Sequence, residues 1–362
     1  MTRVGVIGAG AAGSWFVALL RERERERGDA RCVAVLRAPG GDVAEARERL
    51  GVDVSDDPDR FYARAPEVVV IASPSGLHAQ QARLALEHGA HVLIEKPITV
   101  RVRDGERLVA LAEQQGRRLG VVFQRRADPV YGQVAAALSG RALGTVVAAS
   151  VTMPYERDAA YYRSASWRGT WALDGGGVLM NQGIHLLDVL VWWFGEPDEV
   201  RALATRRAHA IEVEDTAVVA ARFPGGALAT VLATTATAPN RPHALEVFGT
   251  HGSLRLEGDA VVRWDVPGVP APPAAEPAGK ADSAAGDAGA AAGRTAGDAG
   301  AAAVSTGAGY DPRRFDTRLH ALVLDDFLAA VQRDRAPLVD GREALRSLRF
   351  VERVYRAAGL LP

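Results

Sequence analysis

The N-terminal run constrains this chain more than any other stretch. Val4-Gly5-Val6-Ile7 has strand character, Gly8-Ala9-Gly10-Ala11-Ala12-Gly13 follows at once, and the pattern from Ser14 to about Arg27 is helical. Strand, G-x-G-x-x-G and helix in that order fit a turn that carries a dinucleotide. Gly8 would permit the tight turn and Gly10 would let backbone approach a pyrophosphate. Gly13 would let helix pack closely on strand, with the helix N-terminus facing the phosphates. Ala9, Ala11 and Ala12 complete the cradle. The run Arg21-Glu22-Arg23-Glu24-Arg25-Glu26-Arg27 reads as the exposed end of that helix, without a function.

Strands and helical patterns then alternate. A second strand at Arg31–Leu36 ends on Arg37, where a 2′-hydroxyl-binding site carries Asp or Glu. Arginine there pairs with a 2′-phosphate, so the expectation leans to NADP within an NAD(P) site. Asp42 belongs to the start of the next helix. Val68–Ala72 is a buried strand leading into Ser73-Pro74-Ser75-Gly76-Leu77-His78, a loop expected beside the nicotinamide half of a crevice. Ser73 and Pro74 are candidate cofactor contacts; His78 is either a site residue or a helix cap. Val92-Leu93-Ile94 ends on Glu95-Lys96-Pro97, which sets Glu95 and Lys96 where a buried strand opens on the crevice. This alternation predicts an α/β fold: an N-terminal doubly wound parallel sheet over residues 1–124.

From residue 125 to 362 the pattern is α+β, with β-like runs between Val200 and Trp264 that suggest a large, open, mostly antiparallel sheet. One face of such a sheet can serve a homodimer or homotetramer. The segment Tyr155–Trp171 combines aromatics with forked cations, among them Tyr155, Arg163, Trp167 and Arg168, the residue types that recognise sugars, carboxylates and phosphates. Residues from about 266 to 309 are dominated by Ala, Gly, Pro and Asp and predict a disordered insertion, since they offer little surface to bury. Two helical patterns close the chain.

The second chemical stretch is Asp174-Gly175-Gly176-Gly177 followed by Asn181-Gln182-Gly183-Ile184-His185 and Asp188. Asn181, His185 and Asp188 stand at i, i+4 and i+7, one face of a regular helix. A polar stripe on an otherwise apolar helix must face water or a site. His185, with an ordinary pKa near neutrality, is the natural general base, and Lys96 would hold and stabilise the substrate oxygen.

These motifs together resemble the Gfo/Idh/MocA oxidoreductase family, and the likeness runs through Phe123-Gln124-Arg125-Arg126, Phe248-Gly249-Thr250-His251-Gly252 and the C-terminal helices. The resemblance implies Lys96 and His185 as the catalytic pair, a cis Lys96–Pro97 bond, and a substrate held between nicotinamide and open sheet. It adds Gln124 and Arg126 to the substrate candidates. Such members act on a ring carbon of sugars, sugar nucleotides or inositols. Asn181 departs from inositol dehydrogenase-like members, which place aspartate there; asparagine orients a hydroxyl but carries no charge. Two other readings stay open: a non-catalytic sensor of cofactor or sugar, and a glycosidase working through transient NAD-dependent oxidation.

Charge excludes other classes. Lys+Arg number 43 against Asp+Glu 44, a formal net charge of −1 that gives no field favouring nucleic acid or an anionic membrane. No run approaches bilayer length and the first residues go straight into a strand, so a soluble, cytoplasmic protein is expected. The single cysteine, Cys32, suits a reducing compartment. No metal is expected.

Overall fold

The structure is a computed structural model and describes residues 1–273 and 316–361. Six strands, β1 (Thr2–Ile7), β2 (Ala30–Leu36), β3 (Val54–Ser55), β4 (Val68–Ile71), β5 (His91–Glu95) and β6 (Leu119–Val122), form a parallel sheet in the order β3-β2-β1-β4-β5-β6. This is the doubly wound order, and its switch point lies between β1 and β4. β4 reads Val-Val-Val-Ile and every residue is buried, as a strand covered on both faces requires. The coverings are α1 (Ala11–Glu26), α2 (Val43–Leu50), α3 (Pro58–Tyr62), α4 (His78–Glu87) and α5 (Val102–Gln114).

The chain leaves β6 through a tight turn at Gln124–Ala127 and enters α6 (Pro129–Ser139). Asp128 caps that helix by accepting from Val130 N at 2.8 Å, with proline in the first turn. β7 (Val146–Pro154), α7 (Ala159–Arg163) and α8 (Ile184–Phe194) lead to β8 (Glu199–Thr205), β9 (Thr216–Arg222), β10 (Leu228–Thr234), β11 (Ala244–Gly249), β12 (Ser253–Glu257) and β13 (Ala260–Asp265). The seven-stranded sheet runs β13-β12-β11-β7-β10-β9-β8 and is antiparallel except where β10 pairs with β7. β9 alternates buried and exposed residues, so one face packs inward and the other is open.

Two helices return to the first sheet. In α9 (Arg318–Gln332), Val323, Leu324, Phe327 and Leu328 join the core cluster of Val4, Phe16, Val17 and Val35. α10 (Gly341–Ala357) follows a bridge between Asp340 and Gly120, beside Val121 N donating to Val339 O at 3.0 Å. A helix that follows the second sheet in sequence therefore packs on the first.

This return corrects two expectations. The Arg/Glu run of α1 is not merely solvated: Arg23, its side chain 9% exposed, pairs with Asp29 and with Asp325 of α9. The start of the 266–309 segment is also ordered, because Trp264 supplies a donor and a wall for it. Trp264 Nε1 donates to Val269 O at 2.9 Å, Val266 is buried, and Gln133 Nε2 donates to Pro270 O at 2.6 Å. The remainder of that segment lies outside the described residues. No helix among the described residues is long and apolar enough to cross a membrane.

Candidate active site

A cleft of about 1190 Å³ opens at the β1/β4 switch point and extends to residues 156–168 and Asn181. Its volume exceeds the roughly 300–1,000 Å³ of a single small-molecule site, which leaves room for a dinucleotide and a second ligand. Gly8, Ala9, Gly10, Ala11, Ala12, Arg37, Ser73, Pro74, Glu95, Lys96, Trp167, Arg168 and Asn181 all line it.

The glycine turn is shaped for an anion. Gly8 sits at φ +113°, and a Cβ there would stand 2.5 Å from the Ala72 carbonyl oxygen. A Cβ on Gly13 would stand 1.8 Å from Gly8 O, so Gly13 serves helix packing and does not line the cleft. At Gly10 nothing lies within 4 Å of the added atom, which is the open approach a pyrophosphate needs. Gly10 also caps α1 with no side-chain acceptor and no acid in the first turn, leaving N–H groups and the positive end of the helix to a ligand. The residues present therefore fit a dinucleotide. Arg37 folds over Gly41 and donates to the Asp42 carbonyl, while Asp42 Oδ1 accepts from Glu45 N at 2.9 Å as the cap of α2. Arg49, which sequence reasoning missed for lack of any motif, braces the turn by donating to Ala9 O and Ser14 Oγ, each at 2.9 Å.

Lys96 ends the fifth strand, and the Lys96–Pro97 bond is cis, as the resemblance implied. Its Nζ donates to the Asn181 carbonyl at 2.7 Å. Burial lowers the Lys96 pKa; Glu95 and Asp174 oppose that, and Arg168 and Arg157 add to it. Glu95 lies beside His320 of α9, with Oε1 3.5 Å from Nε2. Burial would raise this carboxyl, but His320 and Lys96 hold it below the ordinary glutamate value.

The helix carrying the other candidates is not regular. Residues Leu179–Gly183 form a π-wound turn, so hydrogen bonds reach one residue further and the i, i+4, i+7 stripe is broken. Asn181 lines the cleft; its Nδ2 donates to Asp174 Oδ1 at 2.6 Å, and Asp174 Oδ2 accepts from Gly169 N at 2.8 Å. Asp174, 4% exposed, thus puts a carboxylate behind the asparagine and within electrostatic reach of Lys96. His185 does not line the open cleft; it packs edge-to-face with Phe123 at 6.3 Å and lies within electrostatic reach of Lys96. Among the described residues its Nδ1 is buried with no partner. Burial first, then the charge of Lys96, drives the His185 pKa well below its ordinary value and holds the imidazole in its neutral form.

Other expected residues lie elsewhere. Asp188 and Arg126 form a buried bidentate pair, 2.9 Å at both contacts, joined by Ser347 Oγ at 2.6 Å and by Glu343 at 3.0 Å. They tie α8 to α10 and to the turn after β6, and Arg126 touches no part of the cleft. His78 is buried, its ring bonded to Pro97 O at 2.8 Å and Ser73 O at 3.0 Å; it clamps two cleft loops together from behind. Tyr155 is turned towards His243, Arg163 is exposed, and neither lines the cleft. Gln124 is outside it too, but its Oε1 is buried with no partner among the described residues. The three glycines after Asp174 are packing positions: added Cβ atoms would meet Val100, Tyr355 and Glu214. Glu214 accepts from Gly177 N, Leu179 N and Tyr355 Oη, and burial raises its pKa to about 7.

Comparison with known proteins agrees with this geometry. Residues 2–123 match the model described as "Oxidoreductase family, NAD-binding Rossmann fold", and residues 131–255 match "GFO/IDH/MocA C-terminal domain". The chain belongs to the Gfo/Idh/MocA family. An uncharacterized oxidoreductase of Synechocystis is 32% identical over 208 residues, 54% of this chain and 56% of that one. The scyllo-inositol 2-dehydrogenase (NADP(+)) of Bacillus subtilis is 28% identical over 219 residues, 59% of this chain and 57% of that one. The chain thus spans a little over half the length of these curated relatives. Among solved structures, the WlbA dehydrogenase of Bordetella pertussis, in complex with NADH and UDP-GlcNAcA, superposes with a TM-score of 0.80 at 28% identity, covering 99% of this chain and 96% of that one.

Proposed function

We propose that this Gfo/Idh/MocA member is an NAD(P)-dependent oxidoreductase acting on a ring carbinol or ketone of a sugar, sugar nucleotide or inositol. The observation that carries the reading is that Lys96, just after β5, lines a cleft whose other end is a phosphate-shaped turn, with His185 of α8 within electrostatic reach of it. The glycine turn, Arg37 and the Ser73–Pro74 loop would hold the cofactor. Bound there, a nicotinamide supplies hydride transfer to or from the carbinol carbon.

The chain's own residues manage the oxygen and its proton. Lys96 Nζ, already directed at the Asn181 carbonyl, donates to the reacting oxygen and stabilises charge that develops on it. In oxidation the hydroxyl proton passes to neutral His185; in reduction His185 returns it. Among the described residues His185 Nδ1 and Gln124 Oε1 are buried without a partner, and buried polar atoms are rarely left unsatisfied. The presence of both Lys96 and His185 favours an enzyme over a non-catalytic sensor. The Arg37 guanidinium favours NADP over NAD. The open sheet face supports a homo-oligomer: Leu203, Val218 and Leu232 stand in one cross-strand row, 79%, 51% and 41% exposed.

Lys96→Met and His185→Asn test the chemistry. Each should cut turnover by roughly 10²-fold or more, with cofactor affinity held, since neither residue shapes the glycine turn. Normal turnover in the His185→Asn protein would remove histidine from the mechanism.

A further inference from the structure

One wall of the cleft carries two guanidiniums that form no ion pair among the described residues. Arg157 lies over the Tyr161 ring at 5.2 Å and the Tyr155 ring at 6.0 Å, and its Nη1 donates to the Glu156 carbonyl at 2.7 Å. Arg168 lies over Tyr161 at 4.2 Å and Trp167 at 4.5 Å, donating to Tyr161 Oη at 2.7 Å and Ser164 Oγ at 3.1 Å. Both line the cleft, and both act on the pKa of Lys96.

Their lack of acidic partners sets them apart. Arg125 pairs with Asp259, Arg126 with Asp188 and Arg23 with Asp29, whereas Arg157 and Arg168 form no ion pair among the described residues. The two carboxylates on the same wall are engaged by backbone: Asp158 Oδ1 accepts from Tyr161 N at 2.7 Å and Glu156 Oε2 from Asn240 N at 3.1 Å. Asp174 is turned back to Asn181 and Gly169. Three cations, Lys96, Arg157 and Arg168, are thus gathered on the substrate side; Glu95 and Asp174 offset the charge on Lys96, but neither arginine has an ion-pair partner among the described residues. Both guanidiniums lie over aromatic rings, and a guanidinium fork matches carboxylate or phosphate oxygens.

We propose that the substrate of this cleft bears an anionic group, a carboxylate or a phosphate, gripped by Arg157 and Arg168 on the Tyr161–Trp167 platform while Lys96 holds the reacting oxygen. The proposal rests on reading the cleft as an oxidoreductase site and names the substrate class for it. The group has two possible sources, a carboxylate on the sugar ring or the diphosphate of a sugar nucleotide.

The test is titration calorimetry of NADH-saturated protein with D-glucose, D-glucuronate, UDP-glucose and UDP-glucuronate. Anionic probes should bind at least about tenfold more tightly than D-glucose, the scale of a charge-assisted hydrogen-bonded pair. That gain should shrink as salt rises. A gain for D-glucuronate points to a ring carboxylate; a gain for UDP-glucose without one for D-glucuronate points to the diphosphate. In the Arg157→Gln/Arg168→Gln protein the advantage of the anionic probes should disappear, with NADH affinity serving as the check on folding. Equal affinity for all four, no binding of any, or an advantage that survives the double substitution would overturn the clamp. Failure of both NADH and NADPH to bind would instead overturn the dinucleotide reading.

Discussion

Asp188→Ala separates the structural role of Arg126 from the substrate role that sequence reasoning gave it. In the wild type the Arg126 and Asp188 side chains are 4% and 1% exposed, with two parallel contacts of 2.9 Å and a third donor from Ser347. Removing the carboxylate leaves a buried guanidinium with only Glu343, itself 36% exposed, and orphans the Ser347 hydroxyl. Breaking one side of a buried pair costs about 3–5 kcal/mol, because the surviving charge stays desolvated. At about 2 °C per kcal/mol for a large chain, the thermal midpoint should fall by roughly 6–10 °C. Circular dichroism melts measure this, and NADPH fluorescence titration below the transition should show cofactor affinity intact, since the pair lies away from the glycine turn. The Arg126→Met/Asp188→Leu protein should recover most of the loss, because apolar residues of similar volume remove the unpaired charge. An unchanged midpoint with a raised substrate KM would refute the argument and return Arg126 to the substrate.

Three other outcomes are expected. The acid limb of kcat/KM should fall below pH 6.5: burial and the Lys96 charge disfavour the imidazolium of His185, so its basic form persists as pH drops, and a limb at or above 6.5 would show that this base is not the group titrating. Fluorescence titration should show tighter binding of NADPH than NADH, and Arg37→Asp should abolish or reverse the preference; a wild type already favouring NADH would dismiss that role for Arg37. Leu203→Glu/Leu232→Glu, which puts charge on the exposed row, should shift light-scattering mass towards the monomer, and a wild type that is itself monomeric would reject the sheet-face interface.

What could be read from the sequence alone shares one property: its cause lies within a few residues. A glycine with φ +113°, an open position at Gly10 and a helix start without a cap are consequences of local sterics and short-range hydrogen bonding, so the first turn and its ligand class were legible as a string. The alternation that produced the doubly wound sheet, and the strand ending on Glu95-Lys96-Pro97, are local in the same sense. What only the tertiary structure decided is which partner each polar side chain found. Arg126 and Arg168 are both arginines near aromatic residues, yet one is locked to Asp188, 62 positions away, and the other faces the cleft without an ion pair among the described residues. The π-wound turn at Leu179–Gly183 undid a helical stripe that spacing implied, and Asp174 came to stand behind Asn181 through that turn. His78 became a brace, and α9 brought His320 to Glu95 from the far end of the chain. Backbone conformation is set mainly by neighbours in sequence, but a buried charge takes whatever counter-charge the packed fold brings to it, and that choice exists only once the distant segments have met.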